Sequence, residues 1–173
     1  MSLSLFHASV PVFVHNLHNL RHILETGEKH AAAKGIEPAV LLQTRLTPDM
    51  FPLLRQAQIA CDLAKNGAAR LAGVEPMPFE DSESDFAGLY ARIQRVIDYV
   101  QTFDASRIDG QEGREIVIKT PTAGELNFSG QSYLLQFSLP NLLFHVSMSY
   151  AILRHVGVEL GKKDFLGRIA QYA

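Results

Sequence analysis

Seven histidines and a single cysteine are the side chains here best suited to proton transfer, metal ligation or nucleophilic attack. His15, His18 and His22 are spaced three and then four apart, which places three imidazoles on one side of a helix, a spacing that can chelate a metal. At about 100° per residue, however, the apolar set Val10, Phe13, Leu17, Leu20 and Leu24 points nearly opposite to them. The three are therefore expected on the solvent side, without a fourth ligand or a dry surrounding shell. His7, His30 and His155 have no partner by spacing and read as surface residues.

His145 is different. On the same wheel Ser138, Asn141 and Ser149 fall within about 40° of it, with Leu134, Leu142, Ile152 and Val156 among and beside them. Gln136, Ser147 and Arg154 occupy the opposite, water-facing edge. An inward imidazole needs hydrogen-bond partners and tends to the neutral form, the state that ligates metal or acts as a base. The same pattern also fits a core histidine satisfied by a serine or a backbone carbonyl. On an earlier helix Gln58 and Asp62 lie one turn apart beside Arg55. They either reach His145 across a bundle, where a carboxylate would orient or charge the ring, or form a solvent-facing edge. Tyr150 adds a phenol at similar depth on a flank. Cys61 falls on a core face and reads as an inert thiol. There is no nucleophile elbow, phosphate loop or dinucleotide fingerprint.

These groups must be held by helices. Leu3, Phe6, Val10, Phe13, Leu17, Leu20 and Leu24 recur at helical steps, and Pro11 predicts a kink or a late start near Ser9. Gly27 and Gly35 mark its end, and Pro38 fits the first turn of a short helix through Leu42. Thr47-Pro48-Asp49 reads as the start of a second long helix, Met50–Leu71, whose face Leu53, Ala57, Ala60, Cys61, Ala64, Ala68 and Leu71 admits a close neighbour. Pro76 and Pro78 enforce a loop. The run Glu80-Asp81-Ser82-Glu83-Ser84-Asp85 reads as a solvated cap on a third helix carrying Phe86, Leu89, Tyr90, Ile93, Val96, Ile97, Val100 and Phe103. Arg114–Lys119 and Glu125–Ser129, with Pro121 and Gly124 in the turn, predict a hairpin that must lean on the helices. The last and longest helix runs from about Gln131 to Val156, with a kink at Pro140 and Gly157 past its end. The tail should wrap back through Leu160, Phe165 and Leu166. The class is all-α in the main: a four-helix bundle with a two-stranded hairpin before the last helix, one domain over 1–173.

Composition narrows the function classes. The 173 residues are 47% hydrophobic and 20% charged with net charge −2, which is globular and carries no field to recruit nucleic acid or anionic lipid. The beginning Met1-Ser2-Leu3 lacks a basic, then apolar, leader pattern, no apolar run approaches a membrane span of about 20 residues, and the lone cysteine suits a reducing compartment. A cytoplasmic chain is the expectation.

Several stretches carry a family resemblance: Ser9-Val10-Pro11-Val12-Phe13, Arg45-Leu46-Thr47-Pro48-Asp49-Met50-Phe51-Pro52-Leu53, Ala69-Arg70-Leu71-Ala72-Gly73-Val74-Glu75, Leu139-Pro140-Asn141-Leu142-Leu143-Phe144-His145-Val146 and Leu153-Arg154-His155-Val156-Gly157-Val158. From about Leu3 to Leu166 the chain resembles an uncharacterised bacterial domain-of-unknown-function family among the DinB/YfiT-like helical bundles. The resemblance implies a four-helix bundle, often a homodimer, in a superfamily held to contain metalloenzymes and thiol-dependent transferases. Their ligand set is one histidine from the second helix and an H-x-x-x-H pair from the last. Here His145 matches the first position of that pair, Ser149 stands at the second, and Gln58 or Asp62 occupies the second-helix region. Zinc or nickel is disfavoured by this incomplete set, and no cofactor is expected. Two readings follow. One is an enzyme or remnant enzyme, with His145, Asp62 and Tyr150 catalytic and Gln58, Asn141 and Ser149 binding. The other is a non-catalytic bundle that binds a small molecule in its cleft or serves as an interaction module.

Overall fold

The computed structural model describes residues 4–120 and 124–168. Leu3, the leader reading at Met1-Ser2-Leu3 and Pro121 of the hairpin turn lie outside them.

Four long helical segments pack around one core. α1 (Val10–Lys34) starts after Ser9 with Pro11 in its first turn, where a missing amide hydrogen costs nothing, so the late start is realised and the kink is not. It runs through Gly27 and stops at Gly35, whose φ of 64° closes the end in the left-handed conformation. Gly27 is needed for a different reason: a Cβ there would lie 2.6 Å from the Leu153 side chain. α2 (Pro38–Leu42) is the short proline-led helix. α3 (Leu53–Leu71) begins three residues later than expected, after Pro52, because Thr47 binds the Asp49 carboxylate (2.7 Å) within a turn of its own. Its Ala-rich face is wholly buried, and α3 packs mainly on α7 and α4.

α4 (Phe86–Val100) is capped by Asp85, which accepts from the Gly88 amide at 2.7 Å. After α5 (Ala105–Ile108), β1 (Glu115–Thr120) pairs antiparallel with β2 (Gly124–Ser129) in the register Glu115 to Ser129. Ile116 and Ile118 are buried beneath the helices. The last long helix is continuous but not uniform. α6 (Gly130–Ser132) passes into a π-helical stretch, Tyr133–Ser138, and then α7 (Leu139–His155). The Leu139 amide donates to Leu134, five residues back. The proline at 140 offers no amide to the preceding turn, and the wide turn that accommodates it falls at the position of the expected kink.

α8 (Lys162–Leu166) returns to α1. This amends the reading of the histidine stripe as solvated for His15, which is half-buried, while His22 stays exposed. His15 Nε2 donates to the Leu166 carbonyl (2.7 Å), Asn19 Nδ2 donates to the Phe165 carbonyl (3.0 Å), and His22 Nε2 meets the Asp164 carboxylate (2.8 Å). The wheel had the phase right, opposite to the core face. It could not foresee that the chain's return would land there. His18 stays exposed.

Among the described residues no helix is long and apolar enough to cross a membrane.

Candidate functional site

The α3–α7 seam brings His145 against Gln56. Gln56 sits one turn after Leu53 and one before Ala60, a polar residue at a core position, and is only 1% exposed. Its Nε2 donates to the Phe51 carbonyl (3.2 Å), which fixes the amide orientation and leaves Oε1 to accept from His145 Nδ1 at 2.7 Å. The proton of the neutral ring therefore sits on Nδ1 and the lone pair on Nε2. Burial first, and then the Arg55 cation, push the imidazole down to about 4. At neutral pH His145 is uncharged, half-buried and edge-on to the exposed ring of Phe144.

The polar companions named on the wheel are inward, but Ser149 and Asn141 serve their own helix, and the buried Ser138 Oγ has no hydrogen-bond partner among the described residues. Ser138 and Ser149 are fully buried and Asn141 is half-buried. Ser149 Oγ donates to the His145 carbonyl (2.9 Å) and Asn141 Nδ2 to the Phe137 carbonyl (2.6 Å), both bonds one turn back. Neither group is held toward a ligand.

Asp62 and Gln58 belong to a second centre, between α3, α4 and the loop before α4. Its hub is Arg92, 3% exposed. Arg92 meets Asp62 (3.0 Å), Asp81 (2.9 Å) and Glu83 (3.1 Å), and donates to the Glu80 carbonyl (2.9 Å). Lys65, also buried, pairs with Asp62 at 3.1 Å. Gln58 Nε2 donates to Glu83 (2.9 Å), and Arg55 bonds both Gln58 and Asp81. Burial alone would make Arg92 easier to deprotonate, but the Asp62 and Glu83 carboxylates outweigh it and hold the guanidinium charged. The expectation that the acidic run is a solvated cap holds for Asp85 and fails for Glu83, whose side chain is 12% exposed. A buried guanidinium requires counter-charges, and the loop supplies them. Arg92 and Lys65 lie within apolar stripes of their helices, a signal that sequence reasoning passed over.

Tyr150 stacks edge-on with Phe165 (6.0 Å) under the returning tail. Cys61 is fully buried, and burial pushes its thiol up to about 12, so it stays protonated.

The surroundings of His145 do not fit a resident metal ion. Gln56 Oε1 is engaged by the ring, Ser149 Oγ by a carbonyl and Asp62 by two cations. Among the described residues no group of three His, Cys, Asp or Glu side chains is placed to hold one. One imidazole beside neutral oxygens makes a weak set for zinc or nickel.

A crystal structure of a DinB family member from Shewanella denitrificans superposes with a TM-score of 0.87 at 39% identity, covering 98% of this chain and 95% of that one. No curated protein matches. The model of the domain of unknown function DUF1993 matches residues 5–166. With its four long helices, hairpin and DinB-like neighbour, the chain belongs to this DUF1993 family of DinB-like domains.

Proposed function

We propose that this chain is a small-molecule-binding DinB-like bundle, a single domain in which the centre of an ancestral enzyme survives as one neutral histidine. The observation that carries the reading is the 2.7 Å bond from His145 Nδ1 to Gln56 Oε1. It fixes a lone pair at Nε2 for an N–H or O–H of a ligand. Proton transfer works best from a group whose pKa lies near the working pH, and His145 is pushed down to about 4. The carboxylate that would raise it, Asp62, is taken by Arg92 and Lys65. Both facts support binding over turnover.

The test is a nuclear magnetic resonance screen of the 15N-labelled chain with small phenols, amides and amines. Amides around Arg55, Gln56 and His145 should shift saturably, and the shifts should vanish in His145→Ala. Shifts confined to other surfaces, or equal in the variant, overturn the proposal. Zinc or nickel should be retained at less than about a tenth of an equivalent after purification.

The surface of the last helix supports pairing with a second copy. No Asp, Glu, Lys or Arg occurs between Glu125 and Arg154, yet Leu135, Leu143 and Phe144 are 47%, 39% and 51% exposed. Large apolar side chains grouped on an uncharged helix surface are ordinarily covered by a neighbour. Sedimentation velocity should give a dimer that Phe144→Glu dissociates; a monomer at micromolar concentration contradicts this. The single, buried thiol is compatible with the reducing cytoplasm, where we place the chain.

A further inference from the structure

Outside both centres, the end of α3 and the start of β1 border an open recess of about 300 Å³ lined by Arg70, Gly73, Glu75, Arg114 and Glu115, among others. Among the described residues five arginines are not exposed: Arg21, Arg55, Arg70, Arg92 and Arg114. Three of them are held by carboxylates. Arg70 and Arg114 have none within 4.0 Å among the described residues, although both line this one recess.

Their placement is built. Arg114 lies so close over Gly73 that a Cβ on that residue would collide with the guanidinium, and Gly73 has a φ of +72° that favours glycine. Arg114 Nη2 donates to Gln111 Oε1 (2.8 Å), while its Nε is buried with no hydrogen-bond partner. An orphaned donor on a charged group is costly, and it leaves the Arg114 guanidinium with fewer partners than it can bond. Arg70 is steadied by the Tyr133 hydroxyl, to which its Nη1 donates at 3.3 Å. Its position in the last turn of α3 also complements the helix dipole, which accounts for Arg70 but not for Arg114.

We propose that Arg70 and Arg114 form a binding site for a small oxyanion, a phosphate or carboxylate group carried by a small molecule. Two planar guanidinium forks match the paired oxygens of either group. Glu75 and Glu115 are exposed at the rim and bring the charge of the lining to zero. Recognition therefore rests on directed hydrogen bonds, and chloride should not substitute.

The test follows the arginine Nε–H resonances of the 15N-labelled full chain during titration with inorganic phosphate and, separately, sodium acetate, each against sodium chloride at equal ionic strength. At least one oxyanion should shift the Arg114 Nε–H saturably with a half-point of about 1–10 mM. A response to phosphate assigns a phosphoryl ligand, and one to acetate alone a carboxylate. Arg70→Gln should weaken the response of the Arg114 Nε–H at least fivefold, and Arg114→Gln that of the Arg70 Nε–H, each variant being checked for unchanged far-ultraviolet circular dichroism. No saturable shift with either anion, an equal shift with chloride, or unchanged binding in whichever variant folds overturns the proposal.

Discussion

His145 donates from Nδ1 to Gln56 Oε1 across the α3–α7 seam at 2.7 Å, and that bond sets which ring nitrogen is available. Replacing Gln56 by Leu should leave the ring donor buried without an acceptor and cost about 1–3 kcal/mol, read as a lower urea midpoint at unchanged slope. Gln56→Glu should do something else. A carboxylate beside the ring should raise the pKa of His145 by more than about one unit, which histidine resonances report directly.

The depressed pKa of His145 fixes the sign of a pH dependence. The unfolded chain takes up a proton near 6.5 and the folded chain only near 4, so acid favours unfolding between those values. Stability should be full above pH 6.5 and fall as the pH drops toward 4. Allowing for solvent screening at this half-buried position, the loss is about 1–2 kcal/mol. His145→Phe should flatten that part of the profile in denaturation measured from pH 4 to 7.

Removing the hub of the charged centre should be more damaging than removing any one partner. Arg92→Met leaves Asp62 and Glu83 facing each other without their main counter-ion and should cost about 3–5 kcal/mol. Asp62→Asn, which leaves Arg92 with two other carboxylates, should cost less than half of that. Thermal unfolding of the pair of variants checks the order, at about 2–4 °C per kcal/mol for a chain of this size.

Much of the fold could be read from periodicity, because helix faces and their proline and glycine boundaries are local properties. Ser9 as the late start of α1 and the short helix after Glu37 are examples. The α3–α7 pairing at His145 was less accessible. A wheel gives the direction of a side chain but not the residue opposite, so Gln58 and Asp62 stood out for their chemistry while Gln56, at a core position, made the contact. Arg92 was hidden for a related reason: a cation inside an apolar stripe matters only once the distant loop at Asp81 and Glu83 folds over it. The π-helical turn before Pro140 resolves a local conflict in a way that propensity does not encode.

The docking of α8 gives a further expectation. Gly167, with a φ of +64°, lies directly against Asn19, and Asp164 is held ionised first by the Gly161 amide and then by His22. Gly167→Ala should add strain and collide with Asn19, releasing α8 while the core holds. Hydrogen exchange at Lys162–Leu166 should quicken at least tenfold, with α3 and α7 unchanged; equal protection in the variant would show that α8 is held by other contacts.

The protonation state of the His145 ring decides which nitrogen a ligand would meet. Long-range 1H–15N correlation spectra of histidine-labelled protein at pH 7 should show His145 neutral, with its proton on Nδ1, and titrating only below about pH 5. A proton on Nε2, or an imidazolium signal at pH 6 to 7, would contradict it.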